Sequence, residues 1–290
     1  MQRPASGQAI KEGAARWLFA AAAAISILAV ALICLFLFAN GVPAMAQIGL
    51  PDFLLGTTWK PSSGMYGIFP MIVGSLYVTA GAIVIGVPAG ILTAIFLSRF
   101  ANATVTRLLR SGIELLAGIP SVVYGFFGLM VVVPLVRTTG PGNGLSLLAA
   151  SFLLGIMILP TIITVSKNAL DAVPKSYYEG ALALGATHER SVFRIVVPAA
   201  FSGIMASVVL GVGRAIGETM AVVMVAGNQA VIPSSVFDGV RTMTANIVLE
   251  MGYAADLHRG ALIATGVVLF VFVMLISLLF AAIKKRGELK

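Results

Sequence analysis

Two charged residues, Arg214 and Glu218, interrupt a long apolar stretch of the sequence. Residues four positions apart lie on the same face of a helix. A charge at the centre of a membrane helix costs about 2.5–3.5 kcal/mol, so it normally pairs with another charge or borders a wet cavity. The planar fork of an arginine suits the oxygens of an anion. The pair therefore predicts either a station for an anion on a path across a membrane or an ion pair that only fixes helix packing.

The composition places these residues in a membrane protein. Of the 290 residues, 59% are hydrophobic and 10% are charged, whereas soluble domains carry about 25% charged residues. The net charge of +8 is explained by Lys and Arg in cytoplasmic loops, and no basic cluster with interleaved aromatic residues indicates a nucleic-acid partner. The single cysteine, Cys34, excludes a disulfide within the chain, and the distant His188 and His258 indicate no metal site.

Six apolar runs of the sequence are long enough to cross a bilayer, which takes about 20 residues of helix. They cover residues 17–39, 69–97, 113–136, 145–165, 199–226 and 260–283. We therefore expect an all-α integral membrane protein with six transmembrane helices. Its parts are a cytoplasmic segment 1–16, a first transmembrane helix 17–39, an external loop 40–68, a five-helix domain 69–283 and a basic tail 284–290.

The distribution of positive charge predicts the orientation of these spans. Fourteen of the 19 Lys and Arg residues lie before the first span, after the last, and in the loops after the second and fourth spans. Since the cytoplasmic side carries the excess of Lys and Arg, both termini are expected in the cytoplasm. Residues 44–46 resemble a signal-peptidase site. However, the apolar run before them is too long for a signal peptide, and cleavage would put the basic tail outside.

Proline and glycine predict a bend or a break in the third span. Pro120 follows Gly118, and Gly125 and Gly128 come one and two turns later. Proline removes a backbone donor and kinks a helix, which membrane proteins tolerate beside neighbouring helices or a water-lined cavity. The pattern leaves a protein-lined path and a simple kink equally open.

The cytoplasmic segment 167–198 is longer than a connection between two spans requires. Ser176 and Glu179 have the spacing of a capping box, Gly185 suits a left-handed helix end, and Thr187 can cap a second short helix. Two capped helices of this kind indicate either a docking surface for another protein or a helix pair that lies on lipid headgroups.

This segment resembles the loop with which the permeases of ATP-binding-cassette (ABC) importers contact their ATPase. The family pattern is E-A-A, three residues, G, nine residues, then I-x-L-P. The matching residues are Glu179, Ala181, Gly185, Ile195 and Pro198. Gly180 and Val197 depart from the pattern by small apolar exchanges. The resemblance implies that the segment inserts into a cleft of a separate ATPase subunit.

A wider resemblance covers nearly the whole chain. Residues 114–128, 155–160 and 213–222 are similar to motifs of phosphate-importer permeases, and the last of them, together with the long first external loop, is similar to the PstC type. The resemblance implies a type I ABC importer permease fold with cytoplasmic coupling helices in a bacterial inner membrane. It also implies a phosphate pathway at Arg214 and Glu218. Permeases for sulfate and molybdate use a coupling segment of the same kind, so this segment does not distinguish between the oxyanions.

The same resemblance implies a complex of several subunits. The chain would form the path with a second, PstA-like permease, above two copies of a PstB-like ATPase, and receive phosphate from an external PstS-like binding protein. The sequence contains no G-x-x-x-x-G-K-[ST] phosphate loop, and neither a G-x-S-x-G nor an H-E-x-x-H motif. We therefore expect no enzymatic activity and no cofactor in this chain, with ATP and Mg²⁺ bound by the ATPase.

Two other classes of function compete with an ABC permease. Ion-coupled carriers use relays of membrane-embedded acidic residues or histidines and often contain inverted repeats. In this sequence only Glu218 lies deep in a span, and no internal repeat is visible, which argues against a carrier. A membrane signalling protein is the third class, and a signalling role added to transport is compatible with the sequence.

Two further patterns predict contact surfaces. Gly203, Ser207 and Gly211 recur every four residues on the fifth span, and small residues let membrane helices approach closely. Gly213 and Gly217 form a second small-residue pair at that spacing. We expect this span to pack against the second permease, with packing inside the same chain as the alternative.

Four aromatic residues near the first external loop are expected either on a docking face for the binding protein or in an aromatic belt at the membrane interface. They are Phe53, Trp59, Tyr66 and Phe69.

Overall fold

The computed structural model describes residues 6–288, with side chains for residues 12–282. Some of the basic residues used to predict the orientation lie outside this part. They are Arg3, Lys290, and the side chains of Lys11 and of the basic tail 284–290. The elements are α1 (Ser6–Ile48), α2 (Leu50–Leu55), β1 (Trp59–Lys60), β2 (Met65–Tyr66), α3 (Phe69–Ile95), α4 (Ala103–Gly118), α5 (Ser121–Phe127), α6 (Val133–Thr139), α7 (Leu147–Asp171), α8 (Lys175–Ala183), α9 (His188–Ser191), α10 (Val197–Ala199), α11 (Phe201–Gly217), α12 (Met220–Val225), α13 (Met243–Glu250) and α14 (Asp256–Glu288).

Five segments of the described chain are helical, long and apolar enough to cross a membrane. Four of them correspond to α1, α3, α7 and α14, which match the predicted first, second, fourth and sixth spans. Helix α1 continues past the predicted end at Ala39 to Ile48. Helix α11 supplies the fifth span and is bent by 68° from the helical segment His188–Ala199 before it. With that bent pair counted as one span, the described helices provide the six that the sequence predicted.

The third span begins later than predicted. Residues 103–118 form the separate helix α4, on which Arg110 and Glu114 make an exposed ion pair of 2.8 Å. The apolar span covers only Ser121–Thr139. The placement of Ile113 inside the span was wrong because its helix carries charged residues, and because Pro120 does not let α4 continue into α5.

The centre of the protein is a close contact between α3 and α7. A Cβ atom at Gly86 would lie 2.6 Å from the carbonyl oxygen of Gly155, and one at Gly90 would lie 2.7 Å from Cγ2 of Ile162. Glycine at both positions therefore lets the helices pack at backbone distance, as small residues do in membrane bundles. This helix pair is the framework on which the remaining spans pack.

The small residues of the fifth span lie against α7 of the same chain. A Cβ atom at Gly203 would overlap that of Ala169, and the buried hydroxyl groups of Ser207 and Ser166 are 2.7 Å apart. The expected packing against the second permease was wrong for Gly203, Ser207 and Gly211, because α7 offers both the shape and the hydroxyl partner that they need. Added Cβ atoms at Gly213 and Gly217 would meet no atom within 4 Å, so for these two residues the expectation stays a prediction.

The predicted external face is a cap over one end of the helices, built from α2, the β hairpin, α13 and the loop between α12 and α13. The strands β1 and β2 are antiparallel and pair Trp59 with Tyr66. Phe53, Trp59 and Tyr66 are buried in the cluster that joins this cap to α14, and Phe69 is half-buried at the start of α3. The expected docking face or aromatic belt was therefore wrong for the first three residues, because they fill the interior of the cap.

Candidate translocation site

The fifth span is broken next to its two charged residues, Arg214 and Glu218. Helix α11 ends at Gly217, Glu218 is extended with φ −67° and ψ 137°, and α12 begins at Met220. Arg214 lies in the last turn of α11. Arg214 and Glu218 therefore do not share a helix face, as their spacing predicted, because the helix ends between them.

Arg214 and Glu218 turn to different partners. Nη1 of Arg214 donates to Oγ1 of Thr161 on α7 at 3.3 Å, whereas Oε1 of Glu218 accepts from the backbone N–H of Ala221 at 3.2 Å. Neither side chain takes part in any of the ion pairs formed within residues 12–282. The alternative in which the two residues form an ion pair is thus not realised, and Arg214 is a half-buried cation without a counter-charge from the described part of its own chain.

A second break lies directly before the third span, between α4 and α5. Helix α4 ends at Gly118, and α5 begins at Ser121 directly after Pro120. The hydroxyl group of Tyr124 donates to the carbonyl oxygen of Leu116 at 2.8 Å, which joins the end of α4 to α5. The break that proline and glycine predicted is confirmed.

The short helices that follow the two breaks pack against each other. A Cβ atom at Gly125 on α5 would lie 3.0 Å from Cα of Ala221 on α12, and one at Gly128 would lie 2.7 Å from Cγ1 of Val225. The two breaks are therefore joined through α5 and α12. Discontinuous helices of this kind form the substrate sites of many transporters.

Segment 167–198 contains the two expected helices, α8 and α9, but the first begins differently. Helix α8 starts at Lys175, directly after Pro174, and no side chain caps it. The predicted capping box of Ser176 and Glu179 was wrong, because the fixed φ of Pro174 begins the helix early enough to place Ser176 inside its first turn.

The junction between α8 and α9 has the predicted geometry. Gly185 has a φ of +82°, and Oγ1 of Thr187 accepts from the backbone N–H of Arg190 at 3.3 Å, which caps α9. Both turn predictions are confirmed.

One side of this segment is fixed and the other is exposed. Val192 and Val196 are buried against Leu170 at the end of α7, whereas the side chain of Leu184 is 91% exposed. The residues that match the family pattern are exposed or, for Ala181, half-buried: Glu179, Ala181, Gly185, Ile195 and Pro198. The structure thus presents the matching residues at the surface of a firmly attached segment.

A polar cluster that sequence reasoning missed surrounds Glu250 in the predicted external cap. Its carboxylate accepts from Nη1 of Arg241 at 2.7 Å and from Nε1 of Trp59 at 2.9 Å, and Nε2 of His258 lies 2.9 Å away. We call these four residues the external clamp. Trp59 and Glu250 are 191 positions apart, so no local spacing could reveal the cluster. The one available signal was the presence of four polar or aromatic residues between apolar spans.

Comparison with known proteins decides the family. Residues 86–287 match the family described as the binding-protein-dependent transport system inner membrane component. The chain belongs to this family. Among its relatives is the probable ABC transporter permease protein YqgH of Bacillus subtilis, 41% identical over 94% of this chain and 91% of the relative. Another is the phosphate transport system permease protein PstC of Mesorhizobium japonicum, 37% identical over 88% of this chain and 84% of the relative.

Solved structures of ABC transporters have the same fold. A chain of a bacterial ABC transporter involved in the import of the acidic polysaccharide alginate matches with a TM-score of 0.63 at 14% identity, over 96% of this chain and 99% of that one. A chain of the MetNI methionine ABC transporter matches with a TM-score of 0.60 at 20% identity, over 79% and 99%. The predicted permease fold is confirmed. The chain is a multi-pass inner-membrane permease subunit of an ABC importer, and ATP hydrolysis belongs to a separate ATPase subunit.

Proposed function

We propose that this chain is the PstC-type permease of an importer for inorganic phosphate, and that Arg214 and Glu218 border its path. The observation that carries the proposal is the isolation of Arg214. A charge inside a membrane span is normally paired or beside water, and this cation has only the Thr161 hydroxyl as a polar partner among the described residues. An anionic substrate supplies the missing charge, and the planar guanidinium fork suits two oxygens of a phosphate.

Glu218 is the residue that favours phosphate over other oxyanions. Its Oε1 atom is bonded to the Ala221 amide, which leaves Oε2 without a hydrogen-bond partner within residues 12–282. Near neutral pH phosphate keeps a protonated oxygen that can donate to a carboxylate, whereas sulfate is fully ionised and repelled by it. Relatives named as PstC phosphate permeases, 37% and 36% identical to this chain, support the same choice.

The remaining assignments follow from this proposal. A second, PstA-like permease completes the path, a PstS-like protein delivers phosphate to the external face, and both termini lie in the cytoplasm. Two PstB-like ATPase copies bind ATP and Mg²⁺ and receive the coupling helices. The contact residues on this chain are Glu179, Ala181, Gly185, Ile195 and Pro198. Tyr177, Leu182 and Leu184 on and beside α8 are exposed together, and this supports a covered surface there, because a group of exposed apolar side chains marks a contact site.

Uptake by the reconstituted importer tests the proposal. The chain is placed in liposomes with the second permease and the ATPase, with the binding protein outside, and the entry of radiolabelled phosphate, sulfate and molybdate is compared at equal concentrations. We expect phosphate entry that depends on ATP and exceeds sulfate entry. Entry driven by an ion gradient without ATP would contradict an ABC importer, and a preference for sulfate or molybdate would contradict the substrate.

A further inference from the structure

The break in the fifth span is held in place from the external cap. Oγ1 of Thr244 donates to the carbonyl oxygen of Glu218 at 3.0 Å. The other hydrogen bonds of the break are local, because they join residues of the segment 215–223 to one another. Thr244 is only 8% exposed. It therefore provides the hydrogen bond that ties the break to a distant part of the described chain.

Helix α13, which carries Thr244, is fixed at its inner end. Thr242 caps this helix, since its hydroxyl accepts from the backbone N–H of Ala245 at 3.2 Å. The backbone N–H of Met243 donates to Oγ of Ser75 on α3 at 2.9 Å. The first turn of α13 is thus attached both to the central helix α3 and to the break.

The outer end of α13 carries Glu250 and is held by the external clamp. The three partners of its carboxylate come from three different places: Arg241 from the loop before α13, Trp59 from the hairpin, and His258 from the first turn of α14. The side chain of Glu250 is 9% exposed. A displacement of the hairpin or of the start of α14 therefore moves the outer end of α13.

The clamp also reaches the far end of α12. Nε of Arg241 donates to the carbonyl oxygen of Asn228 at 2.9 Å, and Nδ2 of Asn228 donates to the carbonyl oxygen of Val223 at 2.7 Å. Helix α12 is thereby held near its start through Thr244 and near its end through Asn228. Both attachments lead to residues of the external cap.

We propose that α13 is a strut that carries displacements of the external clamp to the break at Glu218, with Thr244 as its positioning residue. This inference rests on the proposed function, in which the break borders the phosphate path. An eight-residue helix is about 12 Å long and is clamped at both ends, so it moves as a rigid unit. Movement of the external face is thereby converted into movement of the Glu218 backbone.

The test compares Thr244→Val, which removes the hydroxyl at nearly constant volume, with Thr244→Ser, which keeps it. Phosphate uptake by the reconstituted importer is measured as maximal rate and as half-saturating concentration. Thr244→Val removes the hydrogen bond to the Glu218 carbonyl and the 3.0 Å hydrogen bond to the Thr242 hydroxyl. We expect it to lower the maximal rate by on the order of tenfold, as for the loss of buried hydrogen bonds, with the half-saturating concentration unchanged, whereas Thr244→Ser should keep the parental rate. Thr265→Val is the control, because the buried Thr265 hydroxyl bonds only to Ala261 of its own helix.

Hydrogen exchange at the amides of residues 219–223 supplies a readout that needs no substrate. Faster exchange is expected in Thr244→Val and in Glu250→Gln, which weakens the clamp at nearly constant shape, but not in Thr265→Val. Either of two results would overturn the strut. One is unchanged amide exchange in both Thr244→Val and Glu250→Gln, and the other is phosphate uptake by Thr244→Ser that is as slow as uptake by Thr244→Val. Faster exchange together with normal uptake by Arg214→Gln would keep the strut and overturn only the path role of Arg214.

Discussion

The hydroxyl groups of Ser166 on α7 and Ser207 on α11 lie 2.7 Å apart in the interior of the protein. Oγ of Ser207 also donates to the carbonyl oxygen of Ile204 at 2.7 Å, so Ser166 supplies the donor of the shared bond. Bonds of this kind join helices inside a membrane, where water cannot replace them. This pair fixes which face of the fifth span packs within the chain and, by the turn of the helix, which face is free for other contacts.

The same helix offers a matched pair of glycines to test that assignment. A Cβ atom at Gly203 would overlap Ala169, whereas one at Gly213 would meet no atom within 4 Å. We expect Gly203→Val to destabilise the isolated chain by about 1–3 kcal/mol through overpacking and Gly213→Val to change its stability by about 0.5 kcal/mol or less. Thermal unfolding of the purified chain in detergent measures both. Equal losses in the two variants would contradict the packing of α11 on α7.

Gly185 and Gly180 form a second matched pair, in segment 167–198. Added Cβ atoms meet nothing within 4 Å at either position, but only Gly185 has a positive φ, of +82°. Gly185→Ala should therefore cost about 1–2 kcal/mol of backbone strain and loosen the junction of α8 and α9. Gly180→Ala should favour the helix by up to about 1 kcal/mol. The amount of ATPase that co-purifies with each variant is the measurement, and loss is expected for Gly185→Ala alone. Loss in both variants would indicate that contact area rather than the turn decides the docking.

Asp238 predicts an acid-sensitive loop in the external cap. The Ser234 hydroxyl, followed by the backbone amides of Ser234 and Ser235, holds the pKa of the Asp238 carboxyl below its ordinary value. Because the folded-state pKa is lowered, the stabilisation is present above the ordinary value, about 3.9, and is lost as the pH falls through the lowered one. Hydrogen-exchange protection of Ser234 and Ser235, corrected for intrinsic rates, should persist down to about pH 4 and then fall. In Asp238→Asn the protection of Ser234 and Ser235 should be low at every pH. Protection in the parent that does not change with pH would contradict the role of Asp238.

Much of the architecture was predictable because it depends on residue type over long windows. Runs of apolar residues located the six spans, although the third begins later than predicted, and Pro120 with its neighbouring glycines located the break between α4 and α5. The break at Glu218 was not predictable, because no proline marks it and its geometry depends on a hydrogen bond from Thr244, 26 positions away. Spacing alone therefore placed Arg214 and Glu218 on one helix face that the structure does not contain.

The remaining differences have the same origin in tertiary contacts. Trp59 and Tyr66 have the composition of an interfacial belt, but they are buried because the hairpin folds onto α13 and α14. The stripe of Gly203 and Ser207 indicated close packing correctly, but a sequence does not state which helix is the neighbour. At Gly185 the local chemistry was sufficient, because a left-handed turn depends on the residue itself.

Phosphate uptake by Arg214→Gln in the fully assembled importer tests the central claim most directly. Arg214→Lys should recover part of the lost uptake, because lysine keeps the charge but loses the fork, and Glu218→Gln should impair uptake less than Arg214→Gln does. Arg137→Gln, at an exposed arginine on α6, is the matched control and should transport normally. We predict that Arg214→Gln assembles in normal amount and loses uptake by on the order of a hundredfold, as expected for charge-assisted hydrogen bonds. Uptake by Arg214→Gln at the parental rate, or its failure to assemble, would contradict a place for Arg214 on the phosphate path.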